Sequence, residues 1–147
     1  LGIAAVKVKV DTGARSSALH AWGVRRFVRG GARWVRFQVH PVQGDDETIV
    51  ECEAPLAGMR WVRSSSGKLT FRPIVQTTVV VGDQRYPIQL SLVRRDVMGF
   101  RMLLGRQALR GRFLVHSGRS FLQSPRPPAA GAPDDSSLPA IASEVQS

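Results

Sequence analysis

The fold is decided by the segment Val6–Ala14, VKVKVDTGA, in which a strictly alternating run leads into a polar turn. A period of two places the three valines on one face and the two lysines on the other, which predicts a β-strand with one buried face. Asp and Gly both favour turns, so the strand is predicted to end at Asp11.

Similar alternating or β-branched segments recur along most of the chain. The predicted strands are Val6–Val10, Trp34–Val39, Ile49–Ala54, Thr77–Val81 and Tyr86–Val93, followed by short closing strands at Arg112–His116 and Ser120–Leu122. A hairpin turn is predicted at Gly82–Arg85, and only Arg106–Arg110 has helical character. Many short strands with one short helix predict an all-β domain.

Composition limits the class of protein. The 147 residues include 18 Arg, 3 Lys and one Cys, with a formal net charge of +10. A single Cys excludes an internal disulfide framework and a multi-cysteine zinc cluster. The apolar runs are too short to cross a membrane and no secretory leader opens the sequence, so we expect a cytoplasmic protein without a membrane partner.

The charge is concentrated before residue 124. Residues 124–147 hold five of the nine prolines and no aromatic residue, which predicts a disordered tail after a folded domain at residues 1–123. The domain alone carries 20 basic and 8 acidic side chains, a net charge of +12. Because guanidinium groups bind carboxylates and phosphates bidentately, acidic peptide, nucleic acid and ribosome surfaces are the candidate partners.

The turn Asp11-Thr12-Gly13 has two interpretations. It is a common turn sequence and needs no function. Alternatively, two copies of this loop at the two-fold axis of a homodimer bring two carboxylates together, which then share one proton and activate a water. In that interpretation Asp11, Thr12 and Gly13 are the catalytic residues.

Longer motifs give the turn a family context. They are Lys9–His20, Trp34–Phe37, Val39–Pro41, Arg95–Met98 and Phe100–Arg106. Their arrangement resembles retropepsins, and more closely the ATP-dependent zinc protease family, the retropepsin-like partners of RimK/LysX-type glutamate ligases. The resemblance implies a retropepsin-like acid-protease barrel with a flap-like hairpin at Pro55–Arg72. It also implies a homodimeric aspartic peptidase that cleaves acidic or glutamate-tailed polypeptides, with a RimK-type ligase as partner.

Three residues near the turn are predicted to bind substrate: Ala14, Arg15 and Arg106. Arg15 departs from the usual retropepsin pattern. Its charge either lowers the pKa of the Asp11 carboxyl, binds an acidic substrate side chain or is simply solvated at the surface.

The family name also implies zinc, for which the sequence offers His20, His40 and Cys52 as ligands. Zinc catalysis usually requires three protein ligands, and no His-Glu-x-x-His motif occurs. The simpler interpretations are a hydrogen-bonded His20 and a Cys52 buried as a small hydrophobic residue. We therefore expect a site without metal or other cofactor.

Two alternatives to the peptidase remain. The first is a non-catalytic basic module that binds a glutamate ligase, a ribosomal protein or RNA, and the second is a zinc-dependent hydrolase. Arginine alternates with aromatic residues at Arg25–Arg29 and Arg33–Phe37, a composition found in RNA-binding proteins. Because the alternation places Phe37 toward the core, a solvated basic strand face explains the pattern better and nucleic acid is not the favoured partner.

Overall fold

A computed structural model describes residues 1–42, 44–45, 47–64, 66–94, 100–123 and 142–145. These residues form nine strands and one short helix. The elements are β1 (Lys7–Val10), β2 (Ser17–His20), β3 (Trp22–Arg29), β4 (Ala32–Val39), β5 (Val50–Arg63), β6 (Leu69–Val81), β7 (Gln84–Val93), β8 (Met102–Leu104), α1 (Arg106–Leu109) and β9 (Ala142–Val145). The predicted all-β class with one short helix is confirmed. Within the described ranges, no helix is long and apolar enough to cross a membrane.

The strands form one open sheet in the order β3-β4-β5-β6-β7-β2-β8-β1-β9. The predicted closure into a retropepsin-like barrel is therefore wrong, because β3 and β9 are the two edges of the sheet and do not pair with each other. Local alternation determines which face of a strand is buried, but closure depends on how edge strands far apart in sequence meet.

The core follows the alternation of the sequence. Val8, Val35 and Phe37 are fully buried, while the residues between them reach the opposite face. The prediction that Phe37 faces the core is confirmed. The flap-like hairpin predicted at Pro55–Arg72 corresponds to the paired ends of β5 and β6.

Several elements differ from the sequence prediction. Strands β2 and β3 were not predicted, and neither Arg112–His116 nor Ser120–Leu122 forms a strand. In the first of these segments Leu114 is 100% exposed, so its apolar side chain contributes nothing to a buried strand face. Within the predicted tail, Ala142–Val145 pairs in parallel with β1, and the rest of that tail lies outside the described residues.

The prediction that Cys52 is buried as a small hydrophobic residue is confirmed, because Cys52 lies in the core and is only 1% exposed. Burial raises the pKa of its thiol, so the reactive thiolate is scarcer than for an ordinary cysteine at every pH below that pKa. We expect iodoacetamide to modify Cys52 at neutral pH more than tenfold more slowly in the native protein than in urea. Mass spectrometry of timed samples measures this ratio, and equal rates in the two conditions would contradict it.

Candidate functional site

The Asp11 turn lies where three strands meet. Strand β8 lies between β1 and β2, parallel to the first and antiparallel to the second. The loop at residues 11–16, which joins β1 to β2, therefore passes over the carboxyl end of β8. There the backbone N–H of Asp11 donates to the carbonyl of Leu104 at 2.9 Å.

The Asp11 carboxylate shapes the loop itself. Its Oδ1 accepts hydrogen bonds from the backbone N–H groups of Gly13 at 3.0 Å and Ala14 at 3.2 Å. This is the usual way in which an Asp side chain stabilises a turn two to three residues ahead. The predicted turn at Asp11 is confirmed in its geometry.

Residues 105–107, which follow β8, also form hydrogen bonds with the loop and the start of β2. The backbone N–H of Gly105 donates to Ser17 Oγ at 3.0 Å, and the N–H of Arg106 donates to the carbonyl of Ala14 at 2.8 Å. Arg106 Nη1 donates to the carbonyls of Thr12 and Gly13 at 3.0 and 3.1 Å. Arg106 was predicted to bind substrate, and in the structure its guanidinium binds the backbone of the turn.

A groove of about 790 Å³ opens beside this loop, between it and the β5–β6 hairpin. Both sides contribute polar side chains around a strip of small and apolar residues. The lining residues are Asp11, Gly13, Ala14, Arg15, Ser16, Ala18, Arg60, Trp61, Val62, Arg63, Ser64, Arg72, Ser91, Val93, Leu103 and Gln107.

The groove is strongly basic. Four arginines line it, whereas Asp11 is its one carboxylate among the described residues. Arg60 Nη2 donates to Gln89 Oε1 on β7 at 2.7 Å, and Arg63 Nη1 donates to the carbonyl of Gly67 within the hairpin at 3.1 Å. The buried Arg72 donates from Nε to Thr70 Oγ1 at 2.7 Å. The bonds of Arg60 and Arg63 leave other N–H groups of these two guanidiniums for a bound anion.

The histidines proposed as zinc ligands belong to a different part of the sheet. His20 and His40 flank the indole of Trp22, with ring centroids 4.0 and 4.2 Å from it. No group of three His, Cys, Asp or Glu side chains in the described part of the chain has metal-binding geometry.

Sequence reasoning identified one wall of the groove and missed the other. Arg15 and the Asp11 turn were predicted, but Arg60, Arg63 and Arg72 were not, because they come from a hairpin far along the chain. The available signal was the predicted flap-like hairpin, which carries several arginines. Residues 95–99, part of the family motifs, lie outside the described residues.

Comparison with known proteins gives this site its context. The family model described as "RimB-like: Retropepsin-like aspartic endopeptidase RimB" matches residues 1–126. A protein of Parasynechococcus marenigrum (strain WH8102) named "Probable alpha-L-glutamate ligase" is 45% identical over 115 residues, which are 78% of this chain and 25% of that protein. A protein of the same name from Shewanella halifaxensis (strain HAW-EB4) is 40% identical over 121 residues, 82% of this chain and 26% of that protein. The chain spans about a quarter of the length of these curated relatives.

A solved structure also resembles the fold. It is the crystal structure of Lpg0085, a Legionella pneumophila protein described as having unknown function. The two share 28% sequence identity with a TM-score of 0.56, and the match covers 69% of this chain and 70% of the other. The similarity therefore extends over about two thirds of each chain.

The names of the relatives overturn the predicted peptidase. A ligase forms a bond, whereas the predicted hydrolase and aspartyl protease would break one. What stands is the coarser statement that the chain is related to enzymes of glutamate ligation.

Proposed function

Because this chain belongs to the RimB-like family and its curated relatives are named glutamate ligases, we propose that it is the acidic-polypeptide-binding domain of a glutamate ligase system. In this role the groove beside the Asp11 turn holds a polypeptide that carries glutamate residues. The ATP-dependent formation of the bond belongs to the ligase partner. The domain supplies affinity for the acidic chain on which the ligase acts.

One observation carries this proposal: four arginines from two separate elements line a single groove. Arg15 extends from the loop, while Arg60 and Arg63 extend from the hairpin opposite. Arginine pairs with carboxylate through two parallel N–H···O bonds, which add geometric specificity to the attraction between charges. A polypeptide that carries several glutamate side chains offers the carboxylates that such arginines bind.

The backbone hydrogen bonds of the loop support a binding role. The Asp11 Oδ1 and the Arg106 guanidinium hold residues 12–14 in place before any ligand arrives. A wall that is ordered in advance loses less conformational entropy when a ligand binds. The loop is thus suited to present Arg15 at a defined place on the groove.

The proposal is tested by titrating the protein with hexaglutamate in a calorimeter. We expect saturable binding that weakens as salt is raised, because exposed charges are screened. Uncharged hexaglutamine is the matched control and should not bind. Equal binding of both peptides, or no binding of hexaglutamate at low salt, would refute the proposal.

Replacing Asp11 by asparagine is expected to strengthen the binding of hexaglutamate rather than weaken it. The amide oxygen still accepts the loop hydrogen bonds, while the negative charge that repels the peptide is removed. At about 7 Å in water-like surroundings one charge pair contributes about 0.6 kcal/mol, so hexaglutamate should bind about threefold more tightly. The same calorimetric titration checks this, and a severalfold loss of affinity with the fold intact would contradict it.

A further inference from the structure

A second groove, of about 970 Å³, lies at the far end of the sheet against the edge strand β3. The β3–β4 hairpin forms one wall and residues 56–59 of β5 form the other. Val28 is 69% exposed there, an unusual state for a valine in a strand. The groove shares no lining residue with the groove beside the Asp11 turn.

Three arginines line this second groove: Arg25, Arg26 and Arg33. They differ from their neighbours on the same hairpin, because Arg29 and Arg36 both bind the Glu53 carboxylate, at 2.8 and 2.7 Å. In the described part of the chain, the three groove arginines have neither an ion pair nor a side-chain hydrogen bond, and no acidic residue lines the groove. Their positive charge is therefore available to an acidic partner.

The backbone of β3 is also available. Gly30 and Gly31 form a two-residue hairpin loop with φ values of 57° and 78°, as a type I′ turn requires. The pair that closes such a loop, Arg29 and Ala32, exchanges hydrogen bonds, and along an antiparallel ladder bonded pairs alternate with non-bonded pairs. Arg26 and Val28 fall at the non-bonded positions, so their N–H and C=O groups point away from β4.

The aromatic residues of this hairpin are already covered. The Arg29 guanidinium lies 4.9 Å from the ring centroid of Trp34 and 5.1 Å from that of Phe27. Arg36 lies 5.6 Å from the Phe27 centroid. Since nucleic-acid binding at strand surfaces relies on ring faces that stack on bases, these contacts favour a polypeptide ligand over RNA.

We propose that the β3 edge is a docking site for an acidic, extended segment of a partner polypeptide, which adds to the sheet as a further strand. Its backbone pairs with the outward amide groups of Arg26 and Val28. Its carboxylates bind Arg26 and Arg33, while the methylene stems of those acidic side chains cover Val28 and Leu56. The site is separate from the groove of the proposed function and stands without it.

The probe is a fluorescein-labelled eight-residue peptide in which Glu alternates with Thr, followed by fluorescence anisotropy. Every protein compared carries Arg15→Glu/Arg63→Glu, so that the groove beside the Asp11 turn no longer competes for the peptide. In that background we expect Arg26→Glu/Arg33→Glu to lower the affinity at least tenfold, while Arg85→Glu, at an exposed arginine elsewhere on the sheet, changes it less than twofold. Equal losses from the two changes, or no loss from Arg26→Glu/Arg33→Glu, would overturn the proposal.

A second measurement separates strand pairing from simple charge attraction. Val28→Pro removes one outward N–H, and a peptide with N-methyl groups on alternate amides removes the matching donors from the ligand. Each should weaken binding about tenfold, and the methylated peptide needs no change to the protein's fold. Unchanged affinity for the methylated peptide, or tighter Arg26-dependent binding of single-stranded oligouridylate, would overturn the docking of an extended strand.

Discussion

Replacing Arg15 and Arg63 together by glutamate is expected to weaken hexaglutamate binding by about 100-fold. Each substitution removes an attraction from one wall of the groove and introduces a repulsion of similar size. Both positions are exposed, so each lost attraction and each new repulsion contributes about 0.7 kcal/mol, and the four contributions together amount to about 3 kcal/mol, which corresponds to that loss of affinity. Calorimetric titration at low salt measures the effect directly.

The matched control is the pair Arg85→Glu/Arg119→Glu, which changes the net charge equally at exposed positions that do not line either groove. It should reduce affinity by less than threefold, since distant exposed charges are screened. Equal losses in the two double variants would mean that net charge alone attracts the peptide. That result would contradict a defined site beside the Asp11 turn.

Gly105→Ala is expected to lower the free energy of unfolding by about 2 kcal/mol, the cost of overpacking a tight site. An added Cβ would lie 2.5 Å from the carbonyl oxygen of Ser16 and 2.6 Å from its carbonyl carbon. Both atoms belong to the backbone of the clamped loop, so no side-chain rotation relieves the overlap. The loop must shift, and hexaglutamate affinity should fall with it.

Urea denaturation measures this change, with Gly118→Ala as the control. A Cβ at Gly118 would lie 3.2 Å from Cε1 of the exposed His116 ring, which can move aside. Neither glycine has a positive φ, so both substitutions test only whether the structure has room for a Cβ atom. A Gly105→Ala protein as stable as the control would show that the loop does not depend on close contact with residue 105.

The alternation of apolar and polar residues predicted the strands in which one face is buried. The alternation of Val6–Val10 and of Trp34–Val39 identified β1 and β4 because one face of each is buried. Strand β2 was not predicted because its buried positions include Ser17 and His20, whose polar side chains hide the usual alternation of apolar and polar residues. Strand β3 was not predicted because it is an edge strand that exposes both faces, so its sequence shows no clear alternation of apolar and polar residues.

The difference between local sequence patterns and long-range contacts also explains which residues of the site were predicted. Asp11, Gly13 and Arg106 were predicted together, because a short family motif encodes each of them. The other wall was not, since Arg60, Arg63 and Arg72 reach the groove through the pairing of β5 with β6. A motif centred on one carboxylate suggested hydrolysis, but the chemistry of a groove depends on every residue that folding brings to it.

We propose that the groove beside the Asp11 turn binds glutamate-bearing polypeptide and leaves it intact. The most direct test is a titration of the isotopically labelled protein with hexaglutamate, followed by the backbone amide NMR signals. We expect shifts at residues 13–16 and 60–64, no shifts at residues 84–86, and an unchanged peptide after prolonged incubation. Shifts confined to other parts of the sheet, or the release of shorter peptides, would contradict it.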